Sequence, residues 1–177
     1  MSSNEVLEYE LTFLASYIPA AVRRSSFKEL KDVYFPEDID VHPRLRLRKL
    51  ADRYQLTKKT QKSEGDASTH IETSIALERQ EYDALADKSK RVVEKTRYFY
   101  EHDGQVAEFD VFKGDLAGLV LVDFEFKSRA ELLEFKAPDF CLADVTQEAF
   151  IAGGLLAGKA YGELQPKLME FGYNSLD

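Results

Sequence analysis

Two carboxylates alternate with apolar side chains in a short segment near the start of the printed sequence, LEYELTF at residues 7–13. In an extended strand, this period of two places Glu8 and Glu10 on one face and the apolar side chains on the other. Paired carboxylates supply the hard oxygen ligands that divalent cations prefer. The segment therefore predicts a strand with one face suited to binding a metal ion.

The same alternation recurs along the chain and predicts six further strands. They lie at residues 44–49, 53–60, 70–77, 92–100, 105–112 and 119–127. Turn signals at Asp103-Gly104 and Gly114-Asp115 separate the last three strands. We therefore predict a mostly antiparallel β protein.

The charged faces of these strands fall into two groups. The basic group consists of Arg44, Arg46, Arg48, Lys59, Lys95 and Arg97. The acidic group consists of Glu8, Glu10, Glu72, Glu108, Asp110, Asp123 and Glu125. A closed barrel, with this face inward and helices packed outside, would surround one lumen with both groups.

The chemistry of such a lumen would suit a metal–polyphosphate complex. Guanidinium and ammonium groups bind phosphate oxygens, and carboxylates bind divalent cations. The alternative is a set of solvated ion pairs between neighbouring strands, because a half-exposed sheet produces the same alternation. His70 could line the lumen, but an ordinary strand position is the simpler interpretation.

Helices are predicted in four of the remaining segments. Residues 25–35 and 128–135 begin with capping-box patterns, Ser26 with Glu29 and Ser128 with Glu131. Residues 78–89 have an amphipathic pattern, and residues 146–171 form an apolar tail. The four-residue spacing of the tail glycines predicts a helix face that packs closely on the body, at Gly154, Gly158 and Gly162. The polar segment at residues 61–69 is predicted to be a flexible loop.

Composition limits the class of protein. The 177 residues suffice for one well-cored domain, and we predict a single domain at 1–177 with a C-terminal helical extension at 146–177. The net charge of −8 argues against nucleic-acid and anionic-membrane binding. One cysteine allows no internal disulfide, and the N-terminal residues lack the pattern of a signal peptide. We expect a cytoplasmic protein.

Taken in order, the charged segments resemble the CYTH domain, a branch of the triphosphate tunnel metalloenzymes in which an E-x-E-x-K strand opens the fold. The likeness extends from Glu8 to about Thr146. It is carried by residues 8–12 (EYELT), 44–48 (RLRLR), 56–59 (LTKK), 72 (E), 95–98 (KTRY), 108–112 (EFDVF), 114–119 (GDLAGL) and 123–126 (DFEF).

The resemblance implies an eight-stranded antiparallel tunnel with a charged lumen, helices packed outside and a small triphosphate as substrate. It also implies Mg²⁺ or Mn²⁺ as cofactor, held by Glu8, Glu10, Glu108, Asp110, Asp123 and Glu125. Phosphate binding would involve Arg44, Arg46, Arg48, Lys59, Lys95 and Arg97. Three of these cations, Lys59, Lys95 and Arg97, would also act in catalysis.

Two departures from the family pattern bear on activity. Thr12 replaces the lysine of the opening motif, and an apolar glycine-rich tail follows Thr146. The leading hypothesis is hydrolysis of inorganic triphosphate. The alternatives are a non-catalytic phosphate-binding module with a decayed site and, less favoured, a class IV-type adenylate cyclase. The aromatic residues of the tail, Tyr161, Phe171 and Tyr173, leave a homodimer possible.

Overall fold

The computed structural model describes residues 5–38 and 41–176, and strands dominate this part of the chain. The strands are β1 Glu5–Ala15, β2 Ser26–Phe35, β3 Leu45–Leu50, β4 Arg53–Ser63, β5 Asp66–Leu77, β6 Val92–His102, β7 Gln105–Phe112, β8 Val120–Phe126 and β9 Cys141–Asp144. The α-helices are α1 Arg79–Ala86, α2 Arg129–Glu134, α3 Gly153–Leu156 and α4 Tyr161–Glu170. Single 3₁₀ turns lie at Val22–Arg24, Gly114–Leu116 and Ala149–Ile151.

Eight of the strands close into an antiparallel barrel. Their order is β5-β4-β3-β2-β6-β7-β8-β1, and pairing of β1 with β5 closes the ring. Strand β1 does this by pairing with β5 over its first residues and with β8 from Tyr9 onward. Strand β9 adds to the end of β1 that β5 leaves unpaired. The predicted eight-stranded antiparallel tunnel is confirmed.

Strand β2 corrects the first helix prediction. The segment that starts at Ser26 pairs with β3 on one side and with β6 on the other, so it is the eighth strand of the barrel. Glu29 does not cap a helix, and instead accepts a hydrogen bond from Thr96 Oγ1 at 3.0 Å and contacts Lys113. Closure of the barrel overrides a local pattern that also suits a helix.

Two other helix predictions are confirmed, and both helices cover the outside of the barrel. Helix α1 packs Tyr82 against the outward side chains Val33 and Leu47. Helix α2 begins at the predicted cap, where Ser128 Oγ accepts a hydrogen bond from the backbone of Glu131 at 3.2 Å. Outward apolar side chains thus become buried, as the barrel prediction required. Within the described residues, no helix has the length and apolarity needed to cross a membrane.

The predicted loop at residues 61–69 is mostly part of a hairpin. Strand β4 continues to Ser63 and β5 starts at Asp66, so only a tight turn separates them. Gly65 in that turn has φ +81°, a conformation that glycine adopts without strain. The predicted turn at Asp103-Gly104 is confirmed, since both residues have the positive φ of a type I′ hairpin.

The C-terminal segment, defined as residues 145–176, is not the continuous helix that its sequence predicted. It contains a 3₁₀ turn and two helices, α3 and α4, separated by Gly158 with φ +84°. Its apolar side chains cluster with inward-facing residues of the barrel, including Leu14, Phe112 and Leu121. One end of the lumen is therefore apolar and filled by the C-terminal segment.

The glycines of this segment differ in their surroundings. A Cβ atom on Gly154 would lie 2.4 Å from the carbonyl oxygen of Pro43, which accounts for glycine there. A Cβ atom on Gly162 would have no neighbour within 4 Å. The predicted close packing therefore holds at Gly154 and is wrong at Gly162.

Candidate active site in the barrel lumen

A cavity of about 600 Å³ occupies the lumen. Eleven of the twelve predicted site residues line it: Glu8, Glu10, Arg44, Arg46, Arg48, Lys59, Lys95, Arg97, Asp110, Asp123 and Glu125. The twelfth, Glu108, does not line the cavity but contacts Arg97. Residues of the C-terminal segment, among them Val145 and Leu156, form the inner end of the cavity.

The strand order separates the charges into two arcs. The basic arc consists of the charged lumen side chains on β4, β3 and β6, with Arg44 immediately before β3. The acidic arc consists of those on β7, β8, β1 and β5. Around the ring each arc is continuous apart from Asp32 on β2. The two predicted charge groups therefore face each other across one lumen.

Arg97 is the most extensively bonded cation of the site. Its Nε donates to Asp110 Oδ1 at 2.7 Å, and its Nη2 donates to Asp110 Oδ2 at 2.6 Å and Asp123 Oδ2 at 2.8 Å. Burial alone would lower the pKa of Arg97, but Asp110 and the other carboxylates raise it well above its ordinary value. The guanidinium is therefore permanently charged. It lies at the β6–β7 seam, one of the two places where the basic arc meets the acidic arc.

Lys95 lies beside Arg97 and contacts the same carboxylate, Asp110. Burial lowers the pKa of Lys95 despite the opposing effect of Asp110. For Asp110 itself, burial would raise the pKa, but Arg97 and Lys95 together lower it far below its ordinary value. Asp110 therefore stays ionised and neutralises part of this cationic pair.

Lys59 contacts the opening carboxylates at the other seam, between β4 and β5. Its Nζ lies 3.2 Å from Glu8 Oε2 and also contacts Glu10. Burial would raise the pKa of Glu10, but Lys59 outweighs it and lowers the pKa to about 2. The pKa of Glu8 is raised, mainly by burial, with nearby Glu72 adding to the effect.

Asp32 is a site residue that the sequence analysis missed. Its carboxylate is almost fully buried and forms a bidentate pair with Arg48, with two N–O distances of 2.7 Å. The segment that contains it was interpreted as a helix, although Leu30, Asp32 and Tyr34 share one face of β2. Bidentate pairing fixes the plane of the Arg48 guanidinium in the lumen wall.

Thr12 occupies the position where the family motif has lysine. Its hydroxyl donates to Asp123 Oδ1 at 2.8 Å, and its backbone N–H donates to Thr146 Oγ1 at 3.0 Å. The side chain therefore bonds to a carboxylate of the acidic arc, and the backbone is tied to the start of the C-terminal segment.

The acidic arc has the donor chemistry for a hard divalent cation. In the pairing register, Glu10 lies opposite Glu125 and Glu108 lies opposite Asp123. Like charges directly opposite each other destabilise a sheet. Burial, together with the neighbouring Glu10, raises the pKa of Asp123 to about 7. A cation among these oxygens would relieve that repulsion.

The carboxylates are partly engaged elsewhere in this structure. Among residues 5–38 and 41–176, no three acidic, histidine or cysteine side chains converge closely enough to hold a metal ion. Glu10, Asp110 and Asp123 instead contact Lys59, Lys95 or Arg97. The residues present fit a divalent cation in type and register, provided that some of these contacts open when it binds.

His70 lies on the lumen side of β5 and lines the cavity. Of the two interpretations of this residue, the structure therefore shows the lumen-lining one. Its Cα is paired in register with that of Glu8. Burial lowers the pKa of His70 to about 4, and the neighbouring Lys59 contributes in the same direction. The imidazole is therefore neutral near pH 7.

Comparison with known proteins agrees with this geometry. No family model matches the sequence. The chain is 38% identical over 106 residues to an inorganic triphosphatase of Nitrosomonas europaea, a match that covers 59% of this chain and 68% of the relative. A crystal structure of an inorganic triphosphatase superposes with a TM-score of 0.63 at 31% identity, covering 86% of this chain and 95% of that one.

A structure of a candidate adenylate cyclase from Bacillus halodurans superposes with a TM-score of 0.55 at 18% identity, covering 92% of this chain and 97% of that one. At that identity the likeness shows a shared fold. The crystal structure of the inorganic triphosphatase, in contrast, shares both sequence and architecture with the chain. On this sequence identity and on the closed barrel with its charged lumen, the chain belongs to the CYTH family of triphosphate tunnel metalloenzymes.

Proposed function

We propose that this protein is a metal-dependent phosphohydrolase that cleaves a small triphosphate, most simply inorganic triphosphate, within the barrel lumen. The observation that carries the proposal is the cavity of about 600 Å³ whose basic arc faces an acidic arc. A metal-bound triphosphate presents charge of both signs, so it needs both arcs at once. Family membership and the triphosphatase relative support the same reaction.

The basic arc is arranged for a chain of phosphates. Arg44 is exposed, whereas the side chains of Arg46 and Arg48 are 17% and 13% exposed. Cations of decreasing exposure therefore follow one another along β3, and Arg97 and Lys95 continue the arc. Guanidinium groups bind phosphate oxygens in bidentate geometry, which fixes orientation as well as charge.

The proposed roles follow from this placement. Arg44, Arg46 and Arg48 bind phosphate oxygens and orient the substrate. Lys59, Lys95 and Arg97 bind phosphate and also offset the negative charge that develops as the terminal phosphoryl group leaves.

The acidic arc holds the cofactor in this proposal. The ligands come from Glu8, Glu10, Glu108, Asp110, Asp123 and Glu125. A bound Mg²⁺ or Mn²⁺ supplies Lewis-acid polarisation of the phosphate oxygens. The carboxylates orient an attacking water, and the apolar C-terminal segment limits bulk water at the inner end.

The proposal also includes a cytoplasmic location and a homodimer.

The test is phosphate release from inorganic triphosphate, thiamine triphosphate and ATP, with Mg²⁺ and Mn²⁺ in turn. We expect turnover in the wild type and losses of at least about a hundredfold in Glu10→Ala and Arg46→Ala. Arg79→Ala and Asp83→Ala alter an exposed ion pair on α1 and serve as matched charge controls that should keep full activity. No phosphate release from any triphosphate would refute the proposal.

A phosphate-binding module is the second candidate, because Thr12 replaces the motif lysine and bonds to Asp123. It would bind triphosphate in calorimetry with the same dependence on Arg46 but release no phosphate. Formation of cyclic AMP from ATP would instead identify an adenylate cyclase.

A further inference from the structure

His70 lies in the lumen near charged side chains of both signs, with Glu10 and Asp66 as well as Lys59 and Arg44 acting on its imidazole. Glu8 is its direct partner across the β1–β5 pairing, and both side chains line the cavity. Glu10 lies two residues further along the same face of β1, and Glu72 lies two residues from His70 on β5. The imidazole therefore projects from the acidic arc beside the opening carboxylates.

One ring nitrogen of this imidazole lacks a partner within residues 5–38 and 41–176. His70 Nδ1 is buried and forms no hydrogen bond with the described residues. Buried polar groups are rarely left unpaired, because the loss of their bonds to water is not repaid, so such a group in a ligand cavity indicates a missing partner. Gln61 is the register partner of His70 on β4, and its side chain does not bond to Nδ1.

We propose that His70 is a nitrogen ligand of the metal ion that Glu8 and Glu10 hold, and that it biases this site toward Mn²⁺ over Mg²⁺. The inference rests on the proposed function only in requiring a divalent cation in the lumen. Glu8, Glu10 and His70 do not converge on one point in this structure, so binding also requires Lys59 to leave the two carboxylates. Mg²⁺ strongly prefers oxygen ligands and retained water. Mn²⁺ also binds mainly oxygen ligands, but as a transition-metal ion it accepts an imidazole nitrogen more readily than Mg²⁺ does, so one such ligand changes the selectivity of a carboxylate site.

His42 provides a matched control. It also lines the cavity, but it precedes β3, and the charged groups that act on it are the cations Arg44 and Arg91. No carboxylate is among the groups that shift the pKa of His42, whereas Glu10 acts on His70, so only His70 has the carboxylate neighbours that a shared metal site requires. His42→Gln should therefore keep the metal-binding behaviour of the wild type, whereas His70→Gln should change it.

The first experiment is pulsed electron paramagnetic resonance of Mn²⁺ bound to the full chain without substrate. The wild type and His42→Gln should show coupling of Mn²⁺ to a ¹⁴N nucleus, and His70→Gln should lack it. A bound Mn²⁺ without nitrogen coupling in the wild type would overturn the inference, as would failure of Mn²⁺ to bind. If His70→Gln does not fold, the test still decides: absence of coupling in the wild type refutes the inference, and coupling that persists in His42→Gln excludes the other cavity histidine as its source.

The second experiment is calorimetric titration of the same proteins with Mn²⁺ and with Mg²⁺. We expect the ratio of Mn²⁺ to Mg²⁺ affinity to fall by at least about tenfold in His70→Gln. An unchanged ratio would contradict the inference. These readouts use no substrate, so nitrogen coupling in an inactive protein would refute the proposed hydrolysis and keep the ligand assignment. Hydrolysis with Mg²⁺ but no nitrogen coupling to Mn²⁺ would refute the ligand assignment and keep the proposed hydrolysis.

Discussion

Replacing Asp32 by leucine should destabilise the protein strongly, because the change leaves the Arg48 guanidinium in the lumen wall without its counter-ion. The Asp32 and Arg48 side chains are 2% and 13% exposed and form a bidentate pair. Removing one partner of a buried ion pair costs about 3–5 kcal/mol. At about 2–4 °C per kcal/mol for a chain of this size, the melting temperature should fall by roughly 6–20 °C.

Replacing both partners provides the internal control. The double variant Asp32→Leu/Arg48→Met removes both charges and retains side chains of similar shape, so it should recover most of the lost stability. Thermal and urea unfolding of the wild type, both single variants and the double variant would complete a double-mutant cycle. If the double variant were as unstable as Asp32→Leu alone, the loss would come from packing, and the argument from an unpaired charge would be refuted.

Under the proposed function, the Asp32→Leu variant also tests triphosphate binding. In Asp32→Leu the Arg48 guanidinium lacks a carboxylate partner, so a bound phosphate can replace it. Added inorganic triphosphate should therefore raise the melting temperature of Asp32→Leu more than that of the wild type. The double variant lacks the guanidinium and should show the smallest increase.

The stability difference between the wild type and Asp32→Leu should depend on pH, and the pKa of Asp32 gives the direction. Burial alone would raise the pKa of Asp32, but Arg48 outweighs it and lowers the pKa below its ordinary value of 3.8. A carboxyl group with a lowered folded pKa contributes stability above its unfolded pKa and loses that contribution as the pH falls through the folded value. The stability difference between the wild type and Asp32→Leu should therefore persist above about pH 4 and shrink below it.

Three further changes test other parts of the structure. Thr12→Lys restores the lysine of the family motif. Steady-state kinetics should show a several-fold higher turnover of triphosphate, because the missing lysine is expected to limit the rate. Gly154→Ala should cost about 1–3 kcal/mol in urea unfolding because the added methyl meets Pro43, whereas Gly162→Ala, in open surroundings, should not destabilise. The pKa of Glu10 is lowered to about 2, so metal-free Glu10→Gln should lack the stability that the wild type loses between about pH 4.5 and 2.

Seven of the eight barrel strands could be predicted from alternation because each has one charged face and one apolar face. Strand β2 has polar and apolar side chains on both faces. Its inward face carries Asp32 within the charged lumen and Tyr34 at the apolar end, whereas its outward face carries exposed Glu29 and buried Val33. No single period in polarity remains, so the local capping pattern at Ser26 and Glu29 dominated the prediction.

The C-terminal segment could be predicted to be apolar but not to be broken. Its side chains fill a space whose shape is set by inward residues of distant strands, such as Leu14 on β1 and Leu121 on β8. The apolar side chains that fill this space do not need to repeat with the period of a helix. The segment therefore turns at Gly158 and passes close to Pro43 at Gly154, positions that the sequence alone presents only as glycines in a regular spacing.

The grouping of site residues by charge was predictable, but their separation into two arcs was not, since strand order around the barrel differs from chain order. The arcs explain which charges are compensated. Arg97 and Lys59 lie at the two seams and contact carboxylates of the neighbouring arc. Away from the seams, Glu125 and Arg44 form no ion pair with the described residues. Arg46 is only partly compensated, because its Nη2 lies 3.5 Å from Glu72 Oε2 while its buried Nε has no partner among those residues. A bound ligand gains most where charge is uncompensated, so we expect phosphate to contact Arg44 and Arg46 while the cation contacts Glu125.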